Sequence, residues 1–332
     1  MDRRRQILAS KYEVATDKAL REAASRCGVQ VHIKVRIADS LDIASSGLTK
    51  EEFSYALKAH FDFVVAREDS TAAFAVEFDG PQHDTDPDVV RRDALKNSIC
   101  DKLAMPLLRI DADFLHPIGR SRFSILGWAA EVWFLYEGFC EAQASGQVPY
   151  DEIFNYSAYL GWGYYEGDRL VEIDHSDLAK RMGKLFEQED LPEEVKSLSL
   201  ENLGQALGFG DRKLVMIRPY DPFLPAHVEL IRCLEKKVCL SPTEVLSAED
   251  PQGYIVSLAF VKLPNDRTVI GRGRCRRFNF PPIGPWQLSE ELATMDAAEK
   301  LKLYRRGNIH PSTPEAVAAW RERINTWKHA SH

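Results

Sequence analysis

Apolar and polar residues alternate through residues 29–37, where Val31, Ile33, Val35 and Ile37 are separated by His32, Lys34 and Arg36. That period of two predicts a half-buried strand. Before it, residues 11–26 contain neither Pro nor Gly, are rich in helix formers and lead into Cys27-Gly28, which predicts a helix closed by glycine. Residues 38–52 read as a loop. Two apolar runs follow, 60–66 and 72–80, separated by the polar turn REDST, and predict a strand pair. Thr85-Asp86-Pro87-Asp88 is a helix start, since an Asp or Thr side chain caps free amides and Pro suits the first turn; the helix should run to about Leu103. MPLLRI (105–110) predicts a short strand, and 118–145 a long, largely apolar helix. The order helix, three strands, helix, strand indicates an α/β layer. Further on, 177–190 and 226–236 read as helices. Residues 254–263 and 268–280 read as a hairpin across the turn PNDR.

Length and composition refine this picture. A chain of 332 residues suggests two domains, and the expected division is 1–148 and 149–332, the second of α+β type. With 45% hydrophobic and 28% charged residues the chain can bury a core, which excludes general disorder. A net charge of −7 excludes a uniformly basic, histone-like protein and leaves a local basic groove open. The six cysteines form no CxxC pair and no zinc-type spacing, so they are expected as reduced, mostly buried thiols. The start MDRRRQILASKYE lacks a signal-peptide apolar core, and Glu131 and Glu137 interrupt the greasiest stretch. The expectation is a cytoplasmic protein with no membrane partner.

The chemistry concentrates in one window. Asp62 interrupts Phe61, Phe63, Val64 and Val65, while Glu77 and Asp79 fall two apart, on one face of the strand FAVEFDG. Burying carboxylates is expensive unless they are paired, hydrogen-bonded or bound to a cation. A hard divalent cation such as Mg²⁺ (or Mn²⁺) would explain the cluster, and removing one of several repelling acids should then leave stability unchanged or raised. Helical spacing sets Lys96 on the stripe of Ile99, Cys100 and Leu103, with Arg92 a turn earlier. The competing explanation is a structural ion network of Asp62 and Glu77 with Arg92 and Lys96.

This window resembles the PD-(D/E)XK, restriction-endonuclease-like nuclease superfamily, specifically its uncharacterised bacterial branch with very-short-patch-repair-like cores. The likeness rests on Asp62, Glu77 and Asp79 (E-F-D where the superfamily has E-x-K), Gly80 and His83, and the helix motif R-D-x-x-K at Arg92, Asp93 and Lys96. It implies an αβββαβ core and a metal-dependent endonuclease that hydrolyses DNA phosphodiesters in restriction, repair or anti-phage defence, with RNA left open as substrate. It implies Asp62 and Glu77 as metal ligands, joined by Asp79, with Lys96 in place of the motif lysine and His83 assisting. Glu13, on the first helix, resembles an acid that some members place near the metal. The alternative on the same fold is a catalytically silent nucleic-acid-binding or assembly module.

Outside the window, period-two alternation aligns Arg272, Arg274, Arg276, Phe278 and Phe280 on one strand face. Arginines there, with Arg92, could grip phosphates while the phenylalanines stack on bases; the plainer reading is a strand whose arginines pair with local acids. GRGR lacks the helix and lysine of a P-loop. The C-terminal region is the expected place for a homodimer or protein-partner contact.

Overall fold

The computed structural model describes residues 7–8, 10–80, 86–115, 124–154, 161–167, 169–173, 181, 204–205, 207–212, 214–218 and 222–330. The chain is a mixed α/β protein. Helix α1 (Lys11–Cys27) opens with a capping box, in which Ser10 accepts from the Glu13 amide and Glu13 accepts from that of Ser10, and it closes on Gly28 at φ +70°. Strand β1 (Gln30–Arg36) follows, and then two helices stand where a loop was expected: the single turn α2 (Ile37–Ser40) and α3 (Lys50–Ala56). The second has a capping box of its own, Thr49 with Glu52. The T-x-x-E spacing is legible in the sequence, but seven residues are too few for a helical period to show.

Strands β2 (His60–Ala66) and β3 (Ala72–Phe78) form the expected antiparallel pair. Helix α4 (Pro87–Lys102), capped by Asp86, then crosses to β4 (Leu107–Ile110). The sheet order is β1-β2-β3-β4, with β3 and β4 parallel, as a helical crossover requires. Phe61, Val64, Ala75 and Leu107 pack against Ile99 and Cys100 of α4. A 3-10 turn (Ala112–Leu115) comes next, and α5 (Ile125–Ala144) begins later than expected, with 116–123 outside the described residues.

Strands β5 (Gly161–Glu166), β6 (Arg169–Glu172) and β7 (Leu214–Arg218) make a separate sheet of order β6-β5-β7. The helix expected over 177–190 lies outside the described residues apart from Arg181. After α6 (Leu224–Glu235) come β8 (Glu244–Glu249), β9 (Tyr254–Lys262) and β10 (Thr268–Arg276), an antiparallel sheet that includes the expected hairpin. Helices α7 (Pro285–Arg305) and α8 (Pro314–Ala330) follow.

The expected cut at 148/149 is corrected. One compact unit is Met1–Ala130 with Pro222–His332, and the other is Glu131–Asp221. In the first unit the Leu107 amide donates to the Asn279 carbonyl at 2.7 Å, so the free edge of β4 is paired by chain from far downstream. The glycines of GRGR are explained in the same unit. A Cβ at Gly271 would stand 2.1 Å from the Ala293 carbonyl oxygen, and one at Gly273 would stand 1.9 Å from that of Ser289, so only glycine lets α7 lie this close to β10.

Candidate functional site

Asp62 and Glu77 stand opposite one another, just past the last paired residues of the β2–β3 ladder, Phe63 and Val76. There the side chains take over the backbone pairing. The Asp62 amide donates to Glu77 Oε1 at 3.1 Å, and the Phe78 amide donates to Asp62 Oδ2 at 3.0 Å. Glu77 is 5% exposed, and its Oε2 takes the Lys96 ammonium at 2.7 Å. The same ammonium donates to the His60 carbonyl at 2.9 Å and lies 5.8 Å from the Phe61 ring. Burial works against the charge on Lys96, but Glu77 outweighs it, so the amine stays protonated above its ordinary range.

A second lysine completes this cluster. Lys34 holds φ +51° in mid-strand, a left-handed conformation that costs a non-glycine residue about 1–2 kcal/mol. Its neighbours Ile33 and Val35 keep their register with Phe63 and Phe61. Its ammonium bridges Asp62 Oδ1 and Glu13 Oε1, each at 2.6 Å. Partial burial pulls the Lys34 pKa down, and bonds to the two carboxylates carry it above the usual lysine value. Glu13 therefore caps α1 with one oxygen and reaches the cluster with the other.

Asp79, expected as a third metal ligand, belongs to a different set of contacts from Asp62 and Glu77. Arg109 of β4 grips it bidentately, Nε to Oδ2 at 2.9 Å and Nη2 to Oδ1 at 2.6 Å, and also reaches Asn97 at 3.0 Å and Asp93 at 2.8 Å. Arg109 is 1% exposed; burial opposes its charge, and Asp79 and Asp93 more than offset that penalty. Arg276 closes the set, 3.4 Å from Asp79 and 3.5 Å from Asp93. Counted across both clusters, every one of these carboxylates has a cation within 4 Å.

The expected arginine face is corrected as well. Arg276 points into the ion cluster and donates to the Tyr254 hydroxyl at 2.9 Å. Arg274 stacks 3.4 Å from the centre of the Tyr254 ring and bonds Gln252. Only Arg272 is exposed, over Trp320. Phe280 is buried edge-on against Phe74 and cannot stack on a base. Arg92 is exposed and donates to the Asp88 carbonyl, apart from Asp62 and Glu77; it lines a cleft of about 920 Å³ with Tyr55, Lys58, His60, Arg91 and Lys96. His83 lies outside the described residues.

Lys34 and Arg109 are the site residues that pattern reading missed. Arg109 carries a usable signal, a charge inside the apolar strand LLRI, and the rule that singled out Asp62 applies to it equally. Lys34 carries none, because a lysine on the polar side of an alternating strand reads as solvent-facing.

Among the described residues no group of three or more His, Cys, Asp or Glu side chains gathers to hold a metal ion. Mg²⁺ keeps several waters and is commonly held by only one or two carboxylates, a requirement that the adjoining Asp62 and Glu77 meet. Residues 5–126 match the model of a family described as a protein of unknown function (DUF2726), a span that covers α1 to the first turn of α5 and contains both acids, Lys34 and Lys96. No curated protein and no solved structure matches the chain. Among the described residues no helix is long and apolar enough to cross a membrane.

Proposed function

We propose that the chain is a metal-dependent nuclease of the PD-(D/E)XK type, with its centre at Asp62, Glu77 and Lys96. The observation that carries this reading is the Lys96 amine, which comes from α4 and lies 2.7 Å from Glu77, while Glu77 also accepts from the Asp62 backbone. An acid from each of two neighbouring strands and an amine from the crossover helix are thereby drawn to one point. Asp62 and Glu77 would hold a Mg²⁺ or Mn²⁺ ion, whose chemistry is to polarise a phosphoryl oxygen and acidify water. Lys96 is fixed by its bond to the His60 carbonyl, so its charge is preorganised to stabilise the negative charge that develops on a phosphate in flight. In this role it takes the place of the strand lysine that Asp79 displaces.

A direct test is cleavage of linear and circular DNA and of single-stranded DNA and RNA, with and without Mg²⁺ or Mn²⁺. The expected result is metal-dependent cleavage that drops at least about a hundredfold, near 2.7 kcal/mol, in Asp62→Asn and in Lys96→Met. Cleavage at the wild-type rate by either variant would refute the assignment.

One observation favours a second reading, a catalytically silent nucleic-acid-binding or assembly module. The pairing of every carboxylate in the two clusters with a lysine or arginine gives the acids a purely structural use. Metal-independent nucleic-acid binding without cleavage is the outcome expected of that module.

A further inference from the structure

Two lysines serve the Asp62–Glu77 pair, and they differ in how they are held. Lys96 is 7% exposed and is anchored to the His60 carbonyl as well as to Glu77, so it cannot leave without opening the α4 packing. Lys34 has a side chain 36% exposed, and among the described residues its bonds run to Glu13 and Asp62. It can swing into solvent without disturbing a buried contact. Its ammonium is also the charge that spans the two carboxylates, 2.6 Å from an oxygen of each. A positive-φ lysine in the middle of a strand is a backbone conformation that glycine would adopt at no steric cost, so the feature that a lysine supplies here is its charge.

We infer that Lys34 is an exchangeable internal cation. It pairs with Glu13 and Asp62 and competes with a divalent ion for the Asp62 carboxylate. This rests on the nuclease reading for the identity of the metal site and adds to it a means of control, because the chain competes with the ion for its own ligand. Loading is then set by whatever draws Lys34 away. Glu13, which keeps its α1 cap through Oε2, then turns its lysine-bound oxygen toward the same ion as Asp62, which makes it a conditional member of the site.

The test uses the full chain and Mn²⁺ alone, followed by calorimetry and by the electron paramagnetic resonance signal of the free ion. Lys34→Gly suits the backbone conformation, and Lys34→Met retains the stem, so between them the loss of charge is separated from a change in folding, which thermal melts monitor. Both variants should bind Mn²⁺ at least about tenfold more tightly than the wild type, and the gain should vanish when Asp62→Asn is added. Mn²⁺ should also raise the melting temperature of Lys34→Gly more than that of the wild type. Equal Mn²⁺ affinity in wild type and Lys34→Gly, or a gain that survives Asp62→Asn, overturns the inference. The two readings fail separately. Tighter Mn²⁺ binding without cleavage by any form keeps the role of Lys34 and removes the nuclease, whereas metal-dependent cleavage by the wild type with no gain in Lys34→Gly does the reverse.

Discussion

Arg109→Met is the sharpest perturbation of the fold. The substitution keeps a flexible apolar stem of similar reach and deletes a guanidinium that is 1% exposed and bonded to Asp79, Asp93 and Asn97. Asp79 and Asp93 would keep their pairs with Arg276, which are the longer ones, at 3.4 and 3.5 Å. Removing one partner of a buried ion pair typically costs about 3–5 kcal/mol, because the stranded charge stays out of water. Set against a usual folding stability of about 5–15 kcal/mol, that is a large share. At about 2–4 °C per kcal/mol for a unit of this size, the melting temperature should fall by roughly 6–20 °C. Urea unfolding with equal slopes for both proteins would give the free-energy difference directly. Adding Asp79→Asn and Asp93→Asn to Arg109→Met should recover a substantial part of the loss, since neutral amides no longer demand a counter-charge. A loss under about 1 kcal/mol, or no recovery in the triple variant, would refute the view that charge compensation holds this corner together.

Glu77→Ala should lower stability by about 3–5 kcal/mol, because it strands the buried Lys96 ammonium, and Glu77→Ala/Lys96→Met should lose less than the sum of the two single changes in a double-mutant cycle; this replaces the expectation that removing an acid relieves repulsion. Gly273→Ala should destabilise by about 1–3 kcal/mol or more in chemical unfolding, since its Cβ meets the Ser289 carbonyl, while the exposed Arg272→Ala should stay within about 0.5 kcal/mol. Burial, aided by Asp113, raises the Asp111 carboxyl to about 6, above its unfolded value near 4, so the native state disfavours the charge and loses stability as pH rises from about 4 through 6. Asp111→Asn should therefore be more stable than wild type by about 1–3 kcal/mol at pH 8 and equal to it at pH 4, as followed by melts across that range.

The elements of the α/β layer were legible because their periods are clean: alternation through β1, apolar runs for β2 and β3, and a Pro-Asp start for α4. The acids Asp62 and Glu77 stood out for the same reason, as charges in apolar strands. Of their counter-ions Lys96 is legible on the apolar stripe of α4, whereas Lys34 is not, since its pairing is fixed by spatial neighbourhood alone. Asp93 stands with Lys96 in the R-D-x-x-K motif and in space meets Arg109 and Arg276. Arg276 was assigned to a surface because alternation gives a face but does not say what covers it, and the ion pairs to Asp79 and Asp93 decide that. The division into units is hidden on similar grounds, since no composition shift marks a fold that leaves one compact body and later returns to it.

That return gives synthesis of the chain a timetable. Arg276 is 183 residues downstream of Asp93, to which it donates. At about 5–20 residues per second a ribosome needs roughly 10–40 s to bring the two within reach. For that interval the emerging amino-terminal layer shows a bare β4 edge, because Asn279 has not been made, and carries Asp79 and Asp93 with Arg109 as their counter-ion. A nascent sheet with an open edge is a template for joining a neighbour's strand. The downstream segment thus acts as a late clasp, and the span 5–126 of the family match includes an edge strand, β4, that a residue outside that span pairs in this chain.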